Sequence, residues 1–235
     1  PDDSTVVAYA AGALTEGFSL VVAAHLEYCP LCRERLTDAQ ALGGALLVGL
    51  RPTQPPVGGL ADIWARIETA GSEEPRTPAT ATASDEVLPD VLLPFLQGGF
   101  DSITWRSLAP GIGQHLFDDV ESGEGGVRLL SIAPGITIPE HTHGGGELTL
   151  VLKGAYQDEI GYFRRGDLAD LDPSVSHRPV ATKDESCICL IATDLPLRFT
   201  EDPVRTAILI ASSETLDGFA SGLAEIVLDE TEPAP

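Results

Sequence analysis

Residues 135–154 read GITIPEHTHGGGELTLVLKG, and the reading of this stretch decides the fold. His141 and His143 stand two apart, so in an extended segment both side chains leave the same face. Gly144 to Gly146 make a turn, and Glu147 opens the strand-like run ELTLVLK. Two imidazoles and a carboxylate at H-x-H-x3-E spacing suit a divalent first-row metal, and His177, on a later segment after Pro173, offers a fourth donor. A surface histidine cluster beside a turn is the simpler alternative. Three of the chain's five histidines stand at these positions, which favours the metal.

Around this stretch, from 87 to 200, short β-like runs alternate with Gly, Pro and Asp turns. SITWRSL, QHLF, VRLLSIA, ELTLVLK, AYQDEIGYF, DLADL and CICLIA are the candidates. Many short strands at regular spacing point to a sandwich or jelly roll rather than βαβ units. Cys187 and Cys189 alternate along CICLIA and face one side. They are either a redox-sensitive pair or two small core residues, and a disulfide between them within one strand would be strained. His115 reads as a polar strand residue and Arg164-Arg165 as a solvated turn. No nucleophile or substrate-fixing arginine stands out.

Residues 1–70 read as helical. Thr5 to Leu14 forms a first Ala-rich helix, and Thr15 or Glu16 opens a second with Phe18, Val21, Val22 and His25 at helical spacing. Pro30 suits a first helical position with Cys29 as its flanking cap, so a third helix runs on through Cys32, Leu36, Gly43 and Leu47. Leu60, Ile63, Trp64 and Ile67 mark an amphipathic fourth, with Trp64 expected to pack it. His25, Cys29 and Cys32, at H-x3-C-x2-C spacing, form a second constellation that suits zinc with one further ligand from elsewhere. A helix N-terminus beside Cys29 favours the metal-binding thiolate. A core histidine with two buried cysteines is the plainer reading. Residues 71–86, GSEEPRTPATATASDE, cannot bury much and read as a linker. The tail, 201–235, is acidic, with room for an added strand and a short helix.

Hydrophobic content of 43% and charged content of 21% describe a globular chain, and its 235 residues suffice for two modest domains. The net charge of −22 argues against direct nucleic-acid binding, which needs a basic face to displace counterions. No run reaches membrane-spanning length. The chain starts at Pro1 and has no Met, so further sequence is expected upstream. Four cysteines in two tight pairs suit metal or redox chemistry in a reducing compartment, hence a cytoplasmic location.

Gly135-x5-His141-x-His143-x3-Glu147-x6-Gly154 resembles the first cupin motif at every position. The second motif keeps Gly166, Pro173 and His177, but the spacing after Pro173 is altered, and Val175 and Ala181 stand where that family shows Gly and Asn. The resemblance implies a jelly roll with His141, His143, Glu147 and His177 as ligands to a divalent metal, zinc or alternatively iron or manganese. The upstream half is similar to zinc-binding anti-sigma domains. AYAAGALTEGFSLVVAAHLEYCPLC and CICLIATDLPLRF make the whole resemble the ChrR family of anti-sigma factors over residues 4–200. That resemblance implies a multidomain α and β chain: a small helical bundle (1–70), a linker (71–86), a cupin jelly roll (87–200) and a tail (201–235). It implies zinc at His25, Cys29 and Cys32, with a further N-terminal histidine that this sequence would have to supply from before Pro1. It also implies a partner, an extracytoplasmic-function (RpoE-like) sigma factor held inactive by the helices, and release under an oxidative signal such as singlet oxygen. Two rival expectations stand beside it: a cupin metalloenzyme (iron or manganese dioxygenase, isomerase or hydrolase), and a module in which both metals only stabilise the fold.

Overall fold

The computed structural model describes residues 1–54, 57–69, 88–96, 99–117, 120 and 124–199. The linker and the tail lie outside the described residues.

The first helix, α1, covers Asp3–Ala10, with the Asp2 side chain accepting from the Thr5 N–H at 2.7 Å as its N-cap. It is shorter than the Thr5 to Leu14 expectation and begins earlier. Gly12 takes φ +65°, its N–H bonds the Tyr9 carbonyl and the Ala13 N–H bonds the Ala8 carbonyl. That is a Schellman stop, and a glycine in an Ala-rich run supplies it without the cost of a Cβ.

Helix α2 (Glu16–Tyr28) starts after Thr15 as expected. It ends because Cys29 turns extended and Pro30 opens α3 (Pro30–Val48) at a position where its missing N–H costs nothing. Phe18, Leu20, Val21, Val22, Ala24, His25 and Leu26 of α2 are all buried. In α3 only Cys32 is buried, and in α4 (Gly59–Thr69) nothing is. Trp64, expected to pack that helix, is 56% exposed, because α4 lies against no other described element closely enough to cover it.

Two short 3-10 turns, Asp90–Leu92 and Phe100–Ser102, lead into the β region. Six strands form one antiparallel sheet in the order β1-β2-β3-β11-β5-β8: β1 Arg106–Ala109, β2 Ile112–Leu116, β3 Val127–Ile132, β11 Cys187–Thr193, β5 Glu147–Lys153 and β8 Leu168–Leu171. Two three-stranded sheets cover its inner face. One has β6 (Ala155–Gln157) between β10 (Val180–Ala181) and β7 (Tyr162–Arg164); the other has β4 (His141–His143) between β12 (Leu197–Phe199) and β9 (Ser176–His177). The run AYQDEIGYF is therefore split. Asp158 caps a tight turn in its middle, accepting from the N–H groups of Ile160 and Gly161 at 2.9 and 3.0 Å.

Two apolar cores follow from the two faces of the large sheet. The inner face packs Ile112, Ile132, Val151, Cys187 and Cys189 against Tyr156 and Ala181. The outer face packs Leu129, Leu148, Leu150 and Leu190 against Phe18, Val21, Val22 and Leu26 of α2. Strands β5 and β11 are buried on both sides, which explains their continuous apolar runs. No helix among the described residues is long and apolar enough to cross a membrane.

Leu150 is fully buried between α2 and the sheet. Leu150→Ala should lower unfolding free energy by about 2–5 kcal/mol in urea titrations. Leu46→Ala, on the open side of α3, should change it by no more than about 0.5 kcal/mol.

Candidate functional site

The triple-glycine turn lets the chain reverse between β4 and β5, because side chains at Gly144 and Gly145 would strike Leu195 and Asp194 at 2.9 and 2.6 Å. Pairing of β4 with β9 sets His141 opposite His177, and alternation places His143 on the same side as His141. All three imidazoles are buried, and one ring nitrogen from each lies within 4.8 Å of the others.

Hydrogen bonds define the tautomers. His141 Nδ1 lies 2.8 Å from the Pro139 carbonyl, which only accepts, so Nδ1 carries the proton. His177 Nδ1 lies 2.8 Å from the Asp158 carboxylate and is a donor for the same reason. The two Nε2 atoms then face each other at 3.0 Å with lone pairs on both sides. That contact is repulsive unless a cation lies between them. His143 Nε2 is buried without a hydrogen-bond partner, 3.4 Å from Glu147 Oε2. Glu147 Oε1 is occupied by the Thr149 hydroxyl at 2.8 Å, which leaves Oε2 for the cluster. Burial holds His141 and His143 far below the usual imidazole range, to about 4; neighbouring His177 adds to this, while Glu147 opposes it at His141. Neutral imidazoles are the form that binds metal.

These features fit a divalent metal. An ion bound there would tie β4, β5 and β9 together and neutralise the inward carboxylate. The three histidines come together as the spacing predicts. Glu147 adjoins them at the mouth of β5, a little outside the tight triad.

The second constellation also assembles. Donor atoms of His25, Cys29 and Cys32 lie within 4.8 Å of one another where α2 meets α3. His25 Nε2 is 3.3 Å from Cys32 Sγ, and His25 Nδ1 donates to the Gly166 carbonyl at 2.9 Å. Burial lowers the His25 pKa and raises that of Cys32, to which Arg35 directs an N–H at 3.7 Å. A soft donor set of two sulfurs and one imidazole nitrogen suits zinc.

Cys187 and Cys189 are free thiols on the inner face of β11 with their Sγ atoms 3.6 Å apart. Their mutual hydrogen bond and burial push the Cys189 thiol well above its ordinary pKa, so it is protonated at neutral pH. His115 faces away from the cluster, held by the Thr104 carbonyl at 3.2 Å and the edge of Phe117.

Three residues escaped the sequence reading. Asp158 orients His177, a turn residue brought in by the β6–β7 hairpin. Arg128 shares the inward side of β3 with Leu130 and Ile132; its Nε has no partner, and Glu147 opposes the desolvation that lowers its pKa. Tyr156, stacked on Phe163, buries a hydroxyl without a partner inside the sandwich. The signal for Arg128 was its parity within VRLLSIA.

Fold and site together define a cupin-like sandwich carrying one cluster of potential metal donors and a helical segment carrying another. A family model of the ChrR cupin-like domain matches residues 98–195. Anti-sigma-E factor ChrR of Cereibacter sphaeroides is 41% identical over 197 residues, 84% of this chain and 90% of that protein. The crystal structure of Rhodobacter sphaeroides SigE in complex with the anti-sigma ChrR is similar with a TM-score of 0.68 at 37% identity, over 83% of this chain and 97% of that one. The chain belongs to the ChrR family of anti-sigma factors.

Asp158→Asn should weaken metal binding at the histidine cluster by about 10–100-fold, as loss of an orienting carboxylate does elsewhere. Metal content after gel filtration should stay constant as pH falls through 6.5 and drop only as it approaches about 4. Release that follows an ordinary imidazole titration would contradict the burial-lowered pKa of His141 and His143.

Proposed function

We propose that this chain binds an extracytoplasmic-function sigma factor through residues 1–70 and keeps it inactive. The reading is carried by one observation: an uncovered apolar face on α3 and α4. Leu42, Leu46, Leu47 and Val48, followed by Leu50, and then Leu60, Ile63, Trp64 and Ile67, all stand exposed, each by more than half of its surface. Such a surface marks a protein–protein site. The family supports the identity of the partner, because a relative's structure is that of a complex with SigE. The acidic composition fits a protein that meets the sigma factor rather than DNA.

In this reading zinc at His25, Cys29 and Cys32 holds the α2–α3 junction, and the sandwich, joined through 71–86, is the sensor. A divalent metal at His141, His143, Glu147 and His177 would make the fold of the sandwich depend on an oxidisable donor set. Singlet oxygen, which attacks imidazole and sulfur, would then shift the equilibrium between bound and released states. Cys187 and Cys189 are the redox-sensitive pair of this scheme; an oxidant that joins them removes two electrons and two protons. Buried as they are, they react slowly until the sandwich opens. The protein acts in the cytoplasm, where its partner meets RNA polymerase.

The test is co-purification of the full-length protein with the sigma factors encoded in the same genome. A stable complex is expected with one of them. Trp64→Ala should weaken it by about 2 kcal/mol, roughly 30-fold, as for a central aromatic anchor. If zinc-loaded protein captures no sigma factor, or Trp64→Ala and Ile63→Ala leave affinity unchanged, the proposed surface is wrong.

A further inference from the structure

The ligand cluster between α2 and α3 does not stand alone in the helical segment. The proton on His25 Nδ1 is held by the Gly166 carbonyl, 141 positions away in the turn between β7 and β8. A carbonyl only accepts, so this bond fixes the tautomer that leaves the Nε2 lone pair facing Cys32 Sγ at 3.3 Å. We propose that the Gly166 carbonyl is the positioning group for His25, so the helical centre holds its metal tightly only while α2 is docked on the sandwich.

Three further contacts make this docking specific. Gly166 has φ +88°, and a Cβ there would meet Tyr28 Cβ at 3.1 Å and Cγ at 3.4 Å. The missing side chain is therefore what lets the turn's backbone reach the last turn of α2. The Glu27 carboxylate accepts from the N–H groups of Asp90 and Val91 at 2.8 and 3.0 Å, capping the 3-10 turn that delivers Leu92 to the shared core. The Arg165 guanidinium stacks on the Tyr28 ring, 5.1 Å from its centroid. Glu27 and Tyr28 lie directly between the ligands His25 and Cys29. Undocking would withdraw the acceptor that orients one ligand and free the backbone that carries the next.

Linkage makes the effect reciprocal. Whatever docking adds to metal affinity, bound metal adds to docking. A change in the sandwich is thereby felt at the helical centre without contact between the two donor clusters.

The inference rests on metal occupying the His25 cluster, as in the proposed function, but it does not depend on sigma binding and is read on the full chain alone. Cobalt(II) is the probe. Coordination by Cys29 and Cys32 gives a thiolate-to-metal charge-transfer band that the histidine cluster, lacking sulfur, does not. In chelator titrations, Glu27→Gln and Gly166→Ala should each give up the thiolate band at about 10- to 100-fold lower chelator concentration than the native chain. The ligand-field bands of the histidine cluster should persist. Nitrogen-15 spectra should show His25 losing its fixed Nδ1–H tautomer in both variants. Because Gly166→Ala also strains its own turn, Glu27→Gln decides if that variant loses both sets of bands together. A thiolate band in Glu27→Gln that resists chelator within twofold of the native chain overturns the inference. Absence of that band from the native chain overturns the metal assignment itself.

Discussion

The packing of α2 against the outer face of the six-stranded sheet sets the position of everything functional in this molecule. Phe18, Val21, Val22 and Leu26 each remove enough apolar surface from water to contribute about 1.5–3 kcal/mol before ordering costs are counted. A helix covered in this way has no freedom to slide. Its C-terminal turn must end where His25 meets the Gly166 turn, and its N-terminal turn must bring Phe18 beside Gly146, one residue before Glu147. One helix thus touches the backbone adjoining both donor clusters. The large sheet is consequently buried on both faces, and β5 and β11 carry almost no polar positions except those that serve the interior.

Inside the sandwich the polar residues have a common direction. Gln114, Arg128, His143, Tyr156 and Thr193 all bury atoms without a hydrogen-bond partner, and all belong to inward positions. Buried orphans are costly, and a native protein keeps few without a use. For His143 a cation would supply the use, and it would also relieve the two facing Nε2 lone pairs of His141 and His177 at 3.0 Å. Arg128 adds a positive charge that interacts with Glu147, so the interior is not simply an anionic cage. The hydrogen bond from its neighbour and the same low-dielectric setting keep the Cys189 thiol protonated, which separates it from the exposed, low-pKa thiols that respond first to oxidants.

Short-range chemistry explains which features were readable from sequence. The H-x-H-x3-E spacing needs only strand alternation and a glycine turn, so it located β4, β5 and three inward donor side chains directly. Cys29-Pro30 named the α2–α3 junction, because proline at a first helical position has a local cause. The stop at Gly12 was local too, yet Ala-rich periodicity through Leu14 concealed it. What could not be read depended on tertiary pairing. Asp158 looks like a turn aspartate until the β6–β7 hairpin brings it to His177. Arg128 looks like an exposed strand residue until its sheet face is known. The near-complete burial of α2 was hidden because an amphipathic stripe on one face predicts one buried side, whereas here the sheet covers one side and α1, α3 and the Asp90–Leu92 turn cover others. The opposite error occurred at Trp64, whose helical stripe has the right period but no described partner to bury it.

Exposure of α3 and α4 and the net charge of −22 constrain each other. A chain with that much uncovered Leu, Ile and Trp would be expected to associate with its own copies. A strong excess of one sign of charge opposes such self-association, since two identical acidic surfaces repel. The same field attracts a protein with basic faces. Proteins that bind DNA carry such faces, because they must displace counterions from phosphates. In the proposed complex the apolar helices would supply affinity while the charge would select the kind of partner and speed encounter. This division would also fit the exposed residues beyond Cys32: the His25, Cys29 and Cys32 cluster lies at the start of α3, and the far half of the helix is uncovered.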